Sequence, residues 1–135
     1  MSFASRPAGL GVRDGRLAPP KRTPNCVSSQ AEPGDRVHYI EPLRFSGPPA
    51  SAWAALKAVL RGMERVSVVR EQQPGYLHAE FTSRLMGFVD DVEFLVDEKT
   101  AVIHVRSASR LGRRDFGVNR ERVESIRRGL TAARA

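Results

Sequence analysis

One cysteine, Cys26, stands in 135 residues, so no disulfide can close within the chain. A disulfide-stapled secreted scaffold is excluded, and so is a zinc site built from several cysteines. Histidine is scarce too: His38, His78 and His104 lie far apart and form no ligand motif. No stretch reaches the roughly 20 apolar residues of a membrane span. The first residues, Met1 to Gly15, hold arginine and aspartate and no apolar run, so no secretory signal is visible and a cytoplasmic location is expected. No cofactor motif or full metal-ligand set appears, and neither a cofactor nor a metal is expected. Aromatics do not interleave with the C-terminal arginines, as single-strand nucleic-acid binding would need, so nucleic acid is an unfavoured partner.

What is present is an ordinary globular composition, 41% hydrophobic and 27% charged, on a chain long enough for one core and too short for two. The net charge of +7 is uneven. Residues 104–135 carry nine arginines against three acids, a surplus of six, while residues 37–103 carry seven bases against nine acids. A basic end attracts nucleic acid, anionic lipid or a phosphorylated ligand, although a solvated arginine-rich helix face explains it as well.

Residues 1–23 are rich in Gly, Pro, Arg and Ala without periodicity and read as a flexible tail, leaving residues 24–135 as a single domain. Alternation of Val37, Tyr39, Leu43 and Phe45 predicts a strand over 37–45, with Pro42 marking an edge or bulge. Pro48-Pro49 suits a helix entry, and Trp53, Leu56, Val59, Leu60 and Met63 form one apolar helical stripe, ended by Gly62. Strand patterns follow over 65–71, 76–82, 91–97 and 101–108, the first pair joined by a Gln72–Gly75 turn and the last by an Asp97–Thr100 loop. A final helix is expected from Asn119 as N-cap, with Val118 and Val123 as a staple and Val123, Ile126, Leu130 and Ala133 buried.

The order β-α-β-β-β-β-α implies an α+β fold: a curved, mostly antiparallel five-stranded sheet packed by two helices. A half-repeat of the TATA-binding protein has this order, and helix-grip folds are close in architecture; the likeness concerns shape alone.

Three blocks are distinctive: Pro24-Asn25-Cys26-Val27-Ser28-Ser29; Phe81-Thr82-Ser83 through Gly87-Phe88-Val89-Asp90-Asp91-Val92-Glu93; and Arg106-Ser107-Ala108-Ser109-Arg110-Leu111-Gly112-Arg113, continuing Asp115-Phe116-Gly117-Val118-Asn119-Arg120. Together, from about Pro24 to the C-terminus, they resemble the domain of unknown function 1499 family. The resemblance implies no activity, and relatives are often exported, membrane-anchored or plastid-located.

The third block sets out a candidate site. In a strand, Arg106 and Ala108 share one face and Ser107 and Ser109 the other. The following loop brings Arg113, Arg114 and Asp115 to the mouth of a helix whose free N–H groups begin near Asn119. Arginines, hydroxyls and a helix N-terminus make an anion site, so Arg106, Arg110, Ser109 and the helix start are candidates for binding a carboxylate or phosphate. The competing reading is structural: Asp90 and Asp91 pair with Arg106 and Arg110 in a buried network.

Cys26, with Asn25, Ser28 and Ser29 around it, is the one motif-borne nucleophile candidate, set against a small buried thiol that anchors the N-terminal segment. Asp90, Asp91 and Glu93 lack a further ligand for a metal. His78 and Glu80 read as the solvent side of an amphipathic strand, and Trp53 as a core anchor. The expectation is therefore a non-enzymatic binding or scaffold domain for an anionic small molecule, lipid headgroup or protein partner. The alternatives are a hydrolase or transferase using Cys26 or Asp90/Asp91, and weak nucleic-acid association through the basic C-terminal segment.

Overall fold

The computed structural model describes residues 6–73, 75–84, 87–112 and 114–134. The elements in order are β1 (Cys26–Ser28), β2 (Leu43–Arg44), α1 (Pro49–Arg61), β3 (Val66–Gln72), β4 (Tyr76–Thr82), β5 (Val89–Asp97), β6 (Val102–Ser109) and α2 (Val118–Arg134). One open antiparallel sheet runs β1-β6-β5-β4-β3, with β2 also pairing along β6. The class is α+β with two helices, as the pattern implied.

The sheet has six strands where five were expected, because the cysteine motif adds β1, which no strand pattern marked, while the expected 37–45 strand shrinks to β2. Of residues 37–45 only Leu43–Arg44 pair as a strand, with Ile103 and Val102. Pro42 offers no ladder N–H, and the Asp35 carboxylate accepts the N–H groups of Val37 (3.2 Å) and His38 (3.1 Å), turning the chain there. The edge of β6 is completed by the cysteine motif: Cys26, Val27 and Ser28 stand opposite Ala108, Ser107 and Arg106.

Both helices lie on one face of the sheet. Trp53, Leu56 and Leu60 of α1 and Val123, Ile126 and Leu130 of α2 are buried with Leu77, Ala79, Phe81, Val92, Phe94, Ile103 and Val105. These are the i, i+3, i+4 positions of each helix and alternate positions of each strand, which is why two periodicities meet in one core. The helices touch at Gly129, where an added Cβ would come within 2.9 Å of Val59 Cγ1.

The opposite face is covered as well. Residues 1–23 were expected as a flexible tail; from Arg6 onward the segment lies across the sheet. The Gly11 N–H donates to Glu93 (2.7 Å), the Pro19 carbonyl accepts from Arg106 (3.2 Å) and Lys21 Nζ donates to the Ser109 carbonyl (2.7 Å). A row of charged residues on alternate strand positions supplies the partners that a low-complexity segment cannot find in itself. Residues 1–5 lie outside the described residues.

Candidate functional site

Successive strand residues point to opposite faces, so β5 sends Asp90 and Asp91 in opposite directions. Two polar clusters result, back to back across the sheet.

The outer cluster centres on Arg110. Its Nε donates to Asp91 Oδ2 (2.8 Å), and its Nη2 to Asp91 Oδ1 (2.9 Å) and Glu80 Oε2 (2.6 Å). Glu80 and Asp91 stand directly opposite each other on β4 and β5. Unbridged, two carboxylates so placed repel; the Arg110 guanidinium bridges both, and Arg6, 2.8 Å from Glu80, supplies a second positive charge. His78 Nε2 lies 2.8 Å from Asp91 Oδ1. Burial pushes the Asp91 carboxyl up, but hydrogen bonds from Arg110 and His78 outweigh it and hold it below the ordinary aspartate range. Glu80 is likewise held down, burial being overcome by Arg6 and Arg110. Arg110, raised above its ordinary value chiefly by its Asp91 hydrogen bonds, stays charged.

Further along the same face, Glu93 is fully buried opposite Arg106, whose Nη1 lies 3.9 Å from Glu93 Oε1. The Tyr76 hydroxyl and the Gly11 N–H both donate to Glu93 Oε2. Burial, then the hydrogen bond to Glu93, pushes the Tyr76 phenol above its ordinary range, so it remains a donor.

The inner cluster is built on Asn119. Its Nδ2 donates to the Asn25 carbonyl (3.2 Å), the Ser109 hydroxyl (2.9 Å) and the Asp115 carboxylate (2.6 Å). Its Oδ1 accepts from the Ser107 hydroxyl (2.6 Å) and Arg122 (3.0 Å). Arg122 also pairs with Asp90 (2.8 Å) and lies 4.8 Å from the Phe81 ring centre. The Asn25 amide donates to the Gly112 carbonyl (2.7 Å). The cysteine motif and the arginine-serine block thus tie the β6–α2 loop to the sheet and to the helix.

That loop borders a hollow at one end of the sheet, about 320 Å³ in volume. Its walls include Phe88 from the β4–β5 loop and Leu111, Phe116 and Val118 from the β6–α2 loop; Ser109, Asp90 and Arg122 also line it. Phe116 is 95% exposed. Its φ of +53° and the +81° of Gly117 put two successive residues in the left-handed region, uncommon for a bulky side chain. The turn is held by Asp115, whose carboxylate accepts the N–H groups of Gly117 (2.9 Å) and Asn119 (3.1 Å).

Of the predicted site residues, Asp91, Arg106 and Arg110 share the outer face. Asp90, Ser107, Ser109, Asp115 and Asn119 gather on the inner side, and Arg113 lies outside the described residues. The proposed joint grip of Arg106, Arg110 and Ser109 on one anion does not form, because Ser109 faces away from the arginines and both guanidiniums already have partners. Asn119 is not the N-cap: α2 begins at Val118, and Asp115 takes the free N–H groups that were to draw a ligand. Val118 is exposed, so no staple forms with buried Val123.

His78 and Glu80, expected on a wet face, are buried and partly buried there; strand alternation alone does not reveal that the N-terminal segment covers this side. Ligand atoms of His78, Glu80 and Asp91 lie within 4.8 Å of one another, but Arg110 already supplies the positive charge among them. Asp90 points away from Asp91 and Glu93, which removes the acidic trio as a common ligand set. Cys26 is buried, and burial raises its thiol above the ordinary value despite the opposing charge of Arg106. Ser28 and Ser29 serve the backbone: the Ser28 hydroxyl accepts from Gln30 N–H (3.1 Å) and the Ser29 hydroxyl from Val105 N–H (2.9 Å). Sequence reasoning missed Phe88, Leu111 and Phe116; the available signal was an apolar residue set beside glycine in each of two loops.

Among curated proteins none matches the chain. The model of the family described as "Protein of unknown function (DUF1499)" matches residues 16–130. That span holds the sheet, both helices except the end of α2, and both polar clusters apart from Arg6 and Gly11, so the chain belongs to the DUF1499 family.

Proposed function

We propose that this is a non-enzymatic binding domain whose site is the hollow between the β4–β5 and β6–α2 loops. The observation that carries this reading is Phe116: a 95% exposed aromatic in left-handed backbone, held there by Asp115 and by the buried Asn119 hub. Left-handed backbone at a non-glycine residue costs roughly 1–2 kcal/mol. A fold that meets that cost to present an aromatic ring to solvent, beside exposed Phe88, Leu111 and Val118, is arranged to contact something apolar. The acids and arginines around it hold the frame.

A hydrolase or transferase has less support. A nucleophilic cysteine needs a thiolate in a positive, accessible setting, and burial keeps the Cys26 thiol protonated. Asp91, locked to Arg110 and His78, is a poor proton carrier at neutral pH.

The test is titration with anilinonaphthalene sulfonate, an apolar anionic fluorophore. Saturable binding to the native protein, weakened about tenfold by Phe116→Ser with melting temperature unchanged, is expected. Binding that Phe116→Ser and Leu111→Ser leave intact would place the apolar site elsewhere and end this reading.

A further inference from the structure

Two hollows flank Phe116. Beside the one of about 320 Å³ lies a second of about 430 Å³, lined by Val37, Arg114, Phe116 and Arg120 among others. Of the eight large hydrophobic side chains exposed among the described residues, Val37, Phe88, Leu111, Phe116 and Val118 border these two hollows. The exposed apolar surface of the molecule is therefore concentrated around the loops at one end of the sheet.

The charge at this end is one-sided. Asp90 is taken up by Arg122 at 2.8 Å, and Asp115 by the backbone of α2. No acid pairs with Arg84 or Arg114 among the described residues, and Arg120 donates only to the carbonyls of Arg36 (3.5 Å) and Val37 (3.2 Å). Arg114 and Arg120 thus line the hollows, and exposed Arg84 follows Ser83 on the wall of the first, with no acid partner for any of the three among the described residues. Protein–protein interfaces also enrich arginine and aromatics, so a second copy of the chain is the competing occupant. Positive charge without an answering acid, set beside projecting apolar side chains, suits the boundary between anionic lipid headgroups and acyl chains.

We propose that this end of the domain docks on an anionic lipid bilayer. Phe116 enters the acyl boundary with Phe88 and Leu111 beside it, while Arg84, Arg114 and Arg120 contact headgroup phosphates. The proposal rests on the binding site described above and names its partner.

The experiment is cosedimentation of the full chain with phosphatidylcholine vesicles containing about a third phosphatidylserine, against phosphatidylcholine alone. Binding is expected to the anionic vesicles only and to fall steeply with added salt. Arg114→Ala should weaken it about fivefold and Phe116→Ala about tenfold, both with unchanged melting temperature. Arg128→Ala, on an exposed helical ion pair, is the control and should leave binding unchanged.

Equal binding to neutral vesicles, or insensitivity to Arg114→Ala, overturns the role given to charge and with it the proposal. Loss of vesicle binding together with a Phe116-dependent dimer in gel filtration assigns the surface to a second copy instead. If anilinonaphthalene sulfonate binds and vesicles do not, the lipid proposal falls and the binding reading stands. If neither binds, both fall.

Discussion

Replacing Arg110 by alanine tests the outer cluster most directly. The side chain is 5% exposed and holds Asp91, 2% exposed, and Glu80 through charge-assisted hydrogen bonds at 2.6–2.9 Å. Removing it strands two facing carboxylates, one left beside His78 and the other beside Arg6 among the described residues. Breaking a buried pair in this way costs about 3–5 kcal/mol. At about 2.1 cal/mol/K of unfolding entropy per residue, a chain of 135 residues loses roughly 10–18 °C of melting temperature. Arg128→Ala removes a pair whose members are 65% and 69% exposed, worth about 0–1 kcal/mol, so a few degrees at most.

The loss should depend on pH, with a definite sign. In the parent protein Asp91 sits below its ordinary value, so its contribution is complete above the unfolded value of about 3.9 and fades as pH falls through the lower folded value. Without Arg110, burial is opposed only by His78, and the carboxyl moves upward. The deficit of the variant is then largest near neutrality and shrinks as pH falls through the carboxylate range, where the stranded carboxyl takes up a proton before Asp91 of the parent does. Thermal melts of both proteins across that range decide it. Equal melting temperatures for Arg110→Ala and Arg128→Ala at neutral pH would refute the reasoning.

Asn119→Ala should destabilise by about 1–3 kcal/mol, since the Ser107 hydroxyl and the Asn25 carbonyl lose a buried partner; urea denaturation reads the change. Gly129→Ala should lower stability although alanine favours helix by about 1 kcal/mol, because the new methyl meets the stiff Val59 side chain at 2.9 Å; an unchanged or raised melting temperature would contradict the tight helix crossing. Cys26 should resist alkylation in the native protein and react only as fast as the chain opens, so labelling should speed up with mild denaturant far more than with mild alkali; rapid native labelling would contradict its burial.

Much of the sheet was legible because its hairpins are local. Tyr76–Thr82 occupies the predicted strand, and β5 and β6 depart from expectation by one or two residues at their ends. The faces of Arg106 and Ser107 followed from alternation alone. What alternation cannot supply is the cover on each face. His78 and Glu80 look solvated until a segment far away in sequence crosses them, and that crossing depends on partners such as Gly11 with Glu93. Arg122 was invisible for the same reason: its partner Asp90 lies on another element, and no spacing rule links the two. The short β1 carries three residues and no period, so only pairing across β6 makes it a strand.

The opposite pointing of Asp90 and Asp91 has a consequence for assembly of the chain. Sliding β5 by one position against β6 would drive Asp91 under the helices and turn Val92 and Phe94 outward, while Asp90 would lose Arg122. Mispaired hairpins therefore combine misplaced apolar groups with two unneutralised acids. The adjacent aspartates act as a key that admits a single alignment, and a chain carrying two alanines there would be expected to hesitate between alignments before it closed.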